Sequence, residues 1–345
     1  ALAAAIVVGA GVTLVALPGG QEWTTDSPEA LAAFEAGMAA QMKLYWDDAR
    51  QHFTRAAELD PDFVMAQLMC VDEKMKADKA EGEALLDEVL AADTSSLTLR
   101  EQFFIERARA YREERREEIP EIVDKYLAKI PNDPYVLNDK AQRAFGLGNY
   151  DEAEPLYQRL VEIAPNWVLG YNQLGYINMS RGRFAEAEES FKSYRFIAHD
   201  QANPHDSLGE LYIALGRYDE AEESFEKAIE IKPNYADAHA LLAWILHFAG
   251  RPGDGLASIE RAVRLNPRVP AVYRVIRGTL SYAQEQIDQA LVDIESAADA
   301  SPSYQLLRVW LAAVYAAAGR LEDAAWESQE ILALDPDFSI AHVER

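Results

Sequence analysis

Six histidines are the residues of this chain best suited to holding a metal ion or moving a proton. His199-Asp200 and His205-Asp206 lie close enough in sequence to bring imidazoles and carboxylates together around a turn. The same residues equally suit a loop between helices, with Asp206 in the first turn of the following helix, where the helix dipole favours negative charge. His239 and His247 stand two helical turns apart, too far to share an ion without a third ligand. The acidic pairs Glu113-Glu114, Glu188-Glu189 and Glu222-Glu223 fall on helix faces expected to be solvated. Cys70 is the single cysteine, so no intrachain disulfide can form. It lies in the apolar run Phe63, Val64, Ala66, Leu68, Met69, where a small buried side chain is expected. No phosphate-binding glycine loop, His-Glu-x-x-His pair or nucleophile motif is present. The expectation is a non-enzyme that uses no metal and no cofactor.

Elements that position such side chains must therefore be read for binding. The chain has 345 residues, a net charge of −25, and 49% apolar and 10% aromatic residues, a composition that folds. Strong acidity opposes nucleic-acid backbones, anionic lipid and acidic peptide tails. Two copies of one pattern stand at the centre: Tyr171-Asn-Gln-Leu-Gly-Tyr, Gly182-Arg-Phe-Ala-Glu-Ala and Phe191, then His205-Asp-Ser-Leu-Gly-Glu, Gly216-Arg-Tyr-Asp-Glu-Ala and Phe225, closing on Pro233. They are offset by 34 residues throughout. A helix–turn–helix unit of that length cannot bury its apolar face alone, so it must stack on copies of itself.

Prolines 131, 165, 233, 267, 302 and 336 carry the same register outward, giving about nine helix pairs and no strand. Ala49, Ala153, Ala187, Ala221 and Ala324 mark close helix crossings, and glycines 148, 182, 216 and 319 mark helix stops. The pattern fades in repeats two, three and eight, where Ser95-Ser96, Glu113-Glu114 and Glu285-Gln286 replace expected prolines or glycines. Such departures suit a bend or a docking point.

These residues resemble the tetratricopeptide repeat (TPR) family: Leu-Gly, a turn glycine, an aromatic, Ala, an aromatic, Ala and a closing Pro. The resemblance covers residues 29–340 and implies an all-α, right-handed superhelical solenoid, with 341–345 as a C-terminal tail. It also implies that positions on successive first helices line a concave groove. At 34-residue steps these are Asn138, Asn172 and Asp206, and one turn later Gln142, Tyr176, Glu210 and Trp244, with His247 a further turn on. Side-chain amides can bond both groups of an extended peptide backbone, the aromatics offer rigid contact area, and Asp206 with Glu210 favours a basic ligand. The cations that TPR clamps for acidic chaperone tails need beside Asn138 and Gln142 are missing.

Residues 1–17 are uncharged and almost wholly apolar, and 18–28 read as a linker ending in the helix start Ser27-Pro28-Glu29. A helix of 17 residues spans about 26 Å, a little less than a ~30 Å hydrocarbon core. The stretch reads as a retained membrane anchor, with a secretory signal core as the competing reading. Ala1, Ala5 and Gly9 recur every fourth residue and would let a second membrane helix approach closely. The first charges that follow, Glu22, Asp26 and Glu29, are acidic, which places the solenoid on the non-cytoplasmic, periplasmic side. The expected function is a membrane-tethered scaffold that binds another protein or peptide segment. The alternative is the sensor tail of a single-pass bacterial signalling protein, because Asn203-Pro-His-Asp-Ser-Leu-Gly and Phe248-Ala-Gly-Arg resemble the TPR tails of such proteins.

Overall fold

A computed structural model describes residues 23–300, 305–336 and 338. The apolar stretch 1–17, with Ala1, Ala5 and Gly9, and the tail 341–345 lie outside the described residues. The described residues form eighteen α-helices, and the chain divides into two compact units, residues 1–198 and 199–345. The first unit holds α1 (Pro28–Met42), α2 (Trp46–Leu59), α3 (Val64–Ala77), α4 (Lys79–Ala91), α5 (Leu99–Arg112), α6 (Ile119–Leu127), α7 (Pro134–Gly146), α8 (Tyr150–Ile163), α9 (Val168–Ser180) and α10 (Phe184–Ile197). The second holds α11 (Asn203–Ala214), α12 (Tyr218–Ile231), α13 (Ala236–Phe248), α14 (Pro252–Leu265), α15 (Ala271–Ala283), α16 (Ile287–Ala300), α17 (Gln305–Ala317) and α18 (Leu321–Leu334). Odd and even helices pair as antiparallel hairpins, nine in all among the described residues.

In three hairpins a glycine meets a phenylalanine ring: Gly37 with Phe53, Gly175 with Phe191 and Gly209 with Phe225. A Cβ on Gly175 would lie 2.3 Å from the Phe191 ring, and one on Gly209 would lie 2.6 Å from Phe225. Both rings are fully buried, so only glycine lets the helices cross this closely. The turns repeat as closely. Glycines 148, 182, 216, 250 and 319 have φ between 67° and 77°, and the next residue's N–H bonds a carbonyl five residues back, the signature of a Schellman cap. Leu44, Glu114 and Glu285 take the same left-handed conformation where glycine is missing, and Tyr45, Arg115 and Gln286 donate the same bond. Repeats one, three and eight therefore keep the turn without its usual residue. Repeat two does not: Asp78 alone joins α3 to α4, and its carboxylate caps the N–H groups of Ala80 and Glu81.

The stretch expected to be a linker is tied down from Trp23 onward. Trp23 is 1% exposed and packs on Phe34, Phe104 and Tyr135, with ring centroids 4.8, 6.4 and 5.8 Å away. Thr24 donates its N–H and its hydroxyl to the two carboxylate oxygens of Glu101, each at 2.7 Å. Thr25 bonds Asp60 at 2.5 Å, and Ser27 caps α1 as expected. This strap draws α1, α5 and α7 into one core.

Candidate functional site

Beside the strap, the first unit carries a groove of about 1140 Å³. Its apolar lining comes from α1 (Met38, Met42), α3 (Leu68, Met69, Met75), α4 (Leu86) and α5 (Phe104), with Tyr135 on α7. Four of the chain's six methionines stand here, and flexible thioether side chains adapt to varied apolar partners. The polar wall is Arg107 on α5 with Asn138, Asp139 and Gln142 on α7. Arg107 donates to Asp139 Oδ1 and lies 5.6 Å from the Phe104 ring centroid. Asn138 Oδ1, Asp139 Oδ2 and Arg107 Nε are buried with no hydrogen-bond partner among the described residues. Each such atom costs about 1–3 kcal/mol, so this wall has bonding capacity to give to a peptide or to water.

A buried ionic network stands behind that wall. Arg100, 3% exposed, donates to Asp133 Oδ2 at 2.7 Å, as does the Tyr126 hydroxyl. Asp133 Oδ1 caps α7 by accepting from the N–H groups of Tyr135 and Val136. The Arg100 guanidinium lies 5.2 Å from the Trp23 centroid and 4.9 Å from that of Tyr135. Glu101 is fully buried and also closes a capping box with Thr98 at the start of α5. Sequence reasoning missed Trp23, Arg100, Glu101 and Asp133. Thr98-x-x-Glu101 and Asp133-Pro134 were legible as helix starts, but not as anchors for a strap.

The residues expected to line one groove fall into different settings. Asn138 and Gln142 line the groove of the first unit. Asn172 is buried on α9, and Tyr176 packs edge-on against Phe191 with centroids 5.1 Å apart. In the second unit, Asp206 is 4% exposed on α11; its Oδ2 accepts from the Tyr235 hydroxyl at 3.0 Å, and its Oδ1 is unpartnered. Burial first, then the neighbouring Glu210 charge, pushes the Asp206 carboxyl up to about 7. A buried acid of this kind does not present a fixed negative charge to a basic ligand. Trp244 and His247 stack with centroids 6.0 Å apart, and Phe248 meets Trp244 edge-on at 5.0 Å. Burial lowers the His247 pKa, and its Nδ1 is unpartnered. Cys70 is buried, and burial raises its thiol pKa. Among the described residues no group of three or more His, Cys, Asp or Glu can hold a metal ion.

Stacked helical hairpins around a lined groove define a repeat protein of the protein-binding kind. Tetratricopeptide-repeat patterns match residues 138–205, 212–277 and 277–337, more than half of the chain, and the protein belongs to that family. TPR domains bind protein and peptide partners and are as a rule non-catalytic. No curated protein matches the chain. Among solved structures, it is similar to a chain of the APC/C hetero-tetramer Cut9–Hcn1, with a TM-score of 0.65 and 13% identity. That alignment covers 82% of this chain and 54% of the other, so the chain spans about half of that relative. A structure from the functional characterisation of Pseudomonas aeruginosa pilF aligns with TM-score 0.53 and 15% identity, over 59% of this chain and 93% of the other. Identities this low speak to the fold alone. Among the described residues no helix is long and apolar enough to cross a membrane.

Proposed function

We propose that this protein is a non-catalytic scaffold that holds a segment of another protein in the groove of its first unit. We further propose that residues 1–17 tether it to a membrane, with the solenoid on the non-cytoplasmic side and a membrane helix packed along Ala1, Ala5 and Gly9. The carrying observation is the groove itself: an apolar Met-rich floor beside a wall where Asn138, Asp139 and Arg107 each leave a polar atom unsatisfied. An extended polypeptide offers an N–H and a carbonyl at every residue, which is the chemistry that wall lacks. The uncharged run 1–17 and the acidic residues after it support the tether and its side.

The groove is tested by Leu86→Glu, which places a charge on its floor. In native membranes the variant should fold, judged by circular dichroism, yet lose the proteins that co-purify with the wild type. Undiminished co-purification would remove the groove from the function. Deleting residues 1–20 should release the protein from membranes, and continued membrane partitioning would refute the tether.

A further inference from the structure

We infer that the groove of the first unit is an intramolecular site for the chain's own apolar segment, residues 1–17, which fills it whenever that segment is not in a membrane. The inference rests on reading the groove as a polypeptide site and names what regulates it. The described chain begins at Trp23, whose ring packs on Phe104 and Tyr135, two residues that themselves line the groove. Residues 18–22 separate that fixed point from the apolar segment, and five extended residues reach about 17 Å. The strap therefore holds the segment within reach of the groove.

The chemistry of the two matches. Residues 1–17 carry no charge. Four of the groove's five cations pair with carboxylates, Arg50 and Lys76 with Glu73, Arg107 with Asp139, and Arg112 with Asp87, and the fifth, Arg116, lies 5.7 Å from the Tyr111 ring centroid. Beside them lies the methionine and leucine floor, which accepts aliphatic side chains without demanding one shape, and the unsatisfied atoms of Asn138, Asp139 and Arg107 can bond the segment's backbone. A segment rich in Ala, Val and Leu left in water is costly, and covering it on this floor removes apolar surface from both. Tethering helps further. A short linker gives an effective concentration of about 1 mM, so a groove affinity of about 0.1 mM fills the site about tenfold over the empty state. A partner protein must then compete with the chain itself, unless a membrane withdraws the segment. The groove would open when the protein is at a bilayer.

The test places a photo-crosslinking benzoylphenylalanine at Met69, on the groove floor, and as a control at Glu88, an exposed residue of α4 outside the lining. The full chain is irradiated in detergent-free buffer, with isotopically light and heavy chains mixed, and in a parallel sample together with the proteins that co-purify with it. The expected result is a crosslink from position 69 to residues 1–17 of the same chain, about tenfold above the control, and its loss on adding phosphatidylcholine vesicles. Crosslinks between light and heavy chains, or a yield unchanged by vesicles, would overturn the inference. So would a crosslink from position 69 to a partner protein with none to residues 1–17, an outcome that leaves the groove reading standing. Crosslinking to neither would sink both. Should Met69 not tolerate the probe, Leu86 gives the same test from α4.

Discussion

Asp133 in the first unit and Asp206 in the second are equally buried acids near the start of a first helix, and they live in opposite surroundings. Asp133 meets the Arg100 guanidinium, the Tyr126 hydroxyl and two backbone N–H groups of α7. Asp206 accepts from one tyrosine hydroxyl, leaves Oδ1 unpartnered, and feels the negative charges of Glu210 and Asp237. Burial is comparable, at 0% and 4% exposed, so the difference is one of partners. A matched ion pair makes a permanent joint, whereas a carboxyl without a cation becomes neutral instead. The first unit thus has an ion-paired joint beside its groove, and the second a buried carboxyl with no cation.

The largest test of that contrast is Arg100→Ala. Removing the cation strands the buried Asp133 charge and the Glu101 strap beside it. Breaking a buried pair costs about 3–5 kcal/mol. Hydrogen exchange should show α5, α6 and α7 losing protection, while α13 to α16 keep theirs. Protection lost evenly in both units would show that the joint is not local. Next comes Trp23→Ala, which empties an indole-sized space bounded by Phe34, Phe104 and Tyr135. Large-to-small changes of this kind cost about 3–5 kcal/mol, less whatever the surroundings recover by collapsing. The strap predicts that amides from Thr24 to Ala30 exchange faster in the variant. Unchanged exchange there would mean the strap is held by its threonines alone.

Asp206→Asn sharpens the other side of the comparison, and its sign is fixed by the direction of the shift. The folded carboxyl is raised to about 7 from an ordinary value of 3.8. Below 3.8 both folded and unfolded chains carry the proton, and no penalty exists. As pH rises towards 7 the unfolded chain releases its proton first, so stability falls across that window and levels off above it. Asparagine, the residue found one and two repeats earlier at 172 and 138, keeps an acceptor for the Tyr235 hydroxyl and carries no charge. The variant should gain about 1–2 kcal/mol at pH 8 and lose the slope between pH 4 and 7. An unaltered pH profile in urea unfolding would show that Asp206 does not titrate as its surroundings dictate.

What the amino-acid pattern reveals follows the same division. The repeat register was legible because Gly175, Gly209 and their phenylalanine partners must recur wherever two helices cross closely, and such a constraint leaves a mark every 34 residues. Of the groove, Asn138 and Gln142 were legible for the same reason. The strap was not. Trp23 has no counterpart one repeat away, and Arg100, Glu101 and Asp133 look like the solvated charges found on any acidic helical protein. Their burial follows from the tryptophan, a long-range contact that no local spacing encodes. The opposed settings of Asn138 and Asp206 were hidden likewise, because a shared register position fixes a helix face and not the depth at which it lies.

The turns supply the smallest and cleanest comparison. Gly216 and Gly250 sit at φ of 67° and 72°, and Glu114 and Glu285 reach 59° and 58° in the same place. A side chain in the left-handed region costs about 1–2 kcal/mol, which glycine avoids. Glycine in turn costs about 0.5–1 kcal/mol more backbone entropy on folding. Both glutamate side chains are exposed, so little packing is lost with them. Glu285→Gly should therefore stabilise the second unit by about 0.5–1 kcal/mol, and Glu114→Gly the first by a similar amount. The reverse change, Gly216→Ala, should destabilise by about 1 kcal/mol although nothing lies within 4 Å of the added carbon. Thermal midpoints of the three variants decide the matter. If both glutamate variants fall while the glycine variant also falls, the stack holds those turns through the glutamates and not in spite of them.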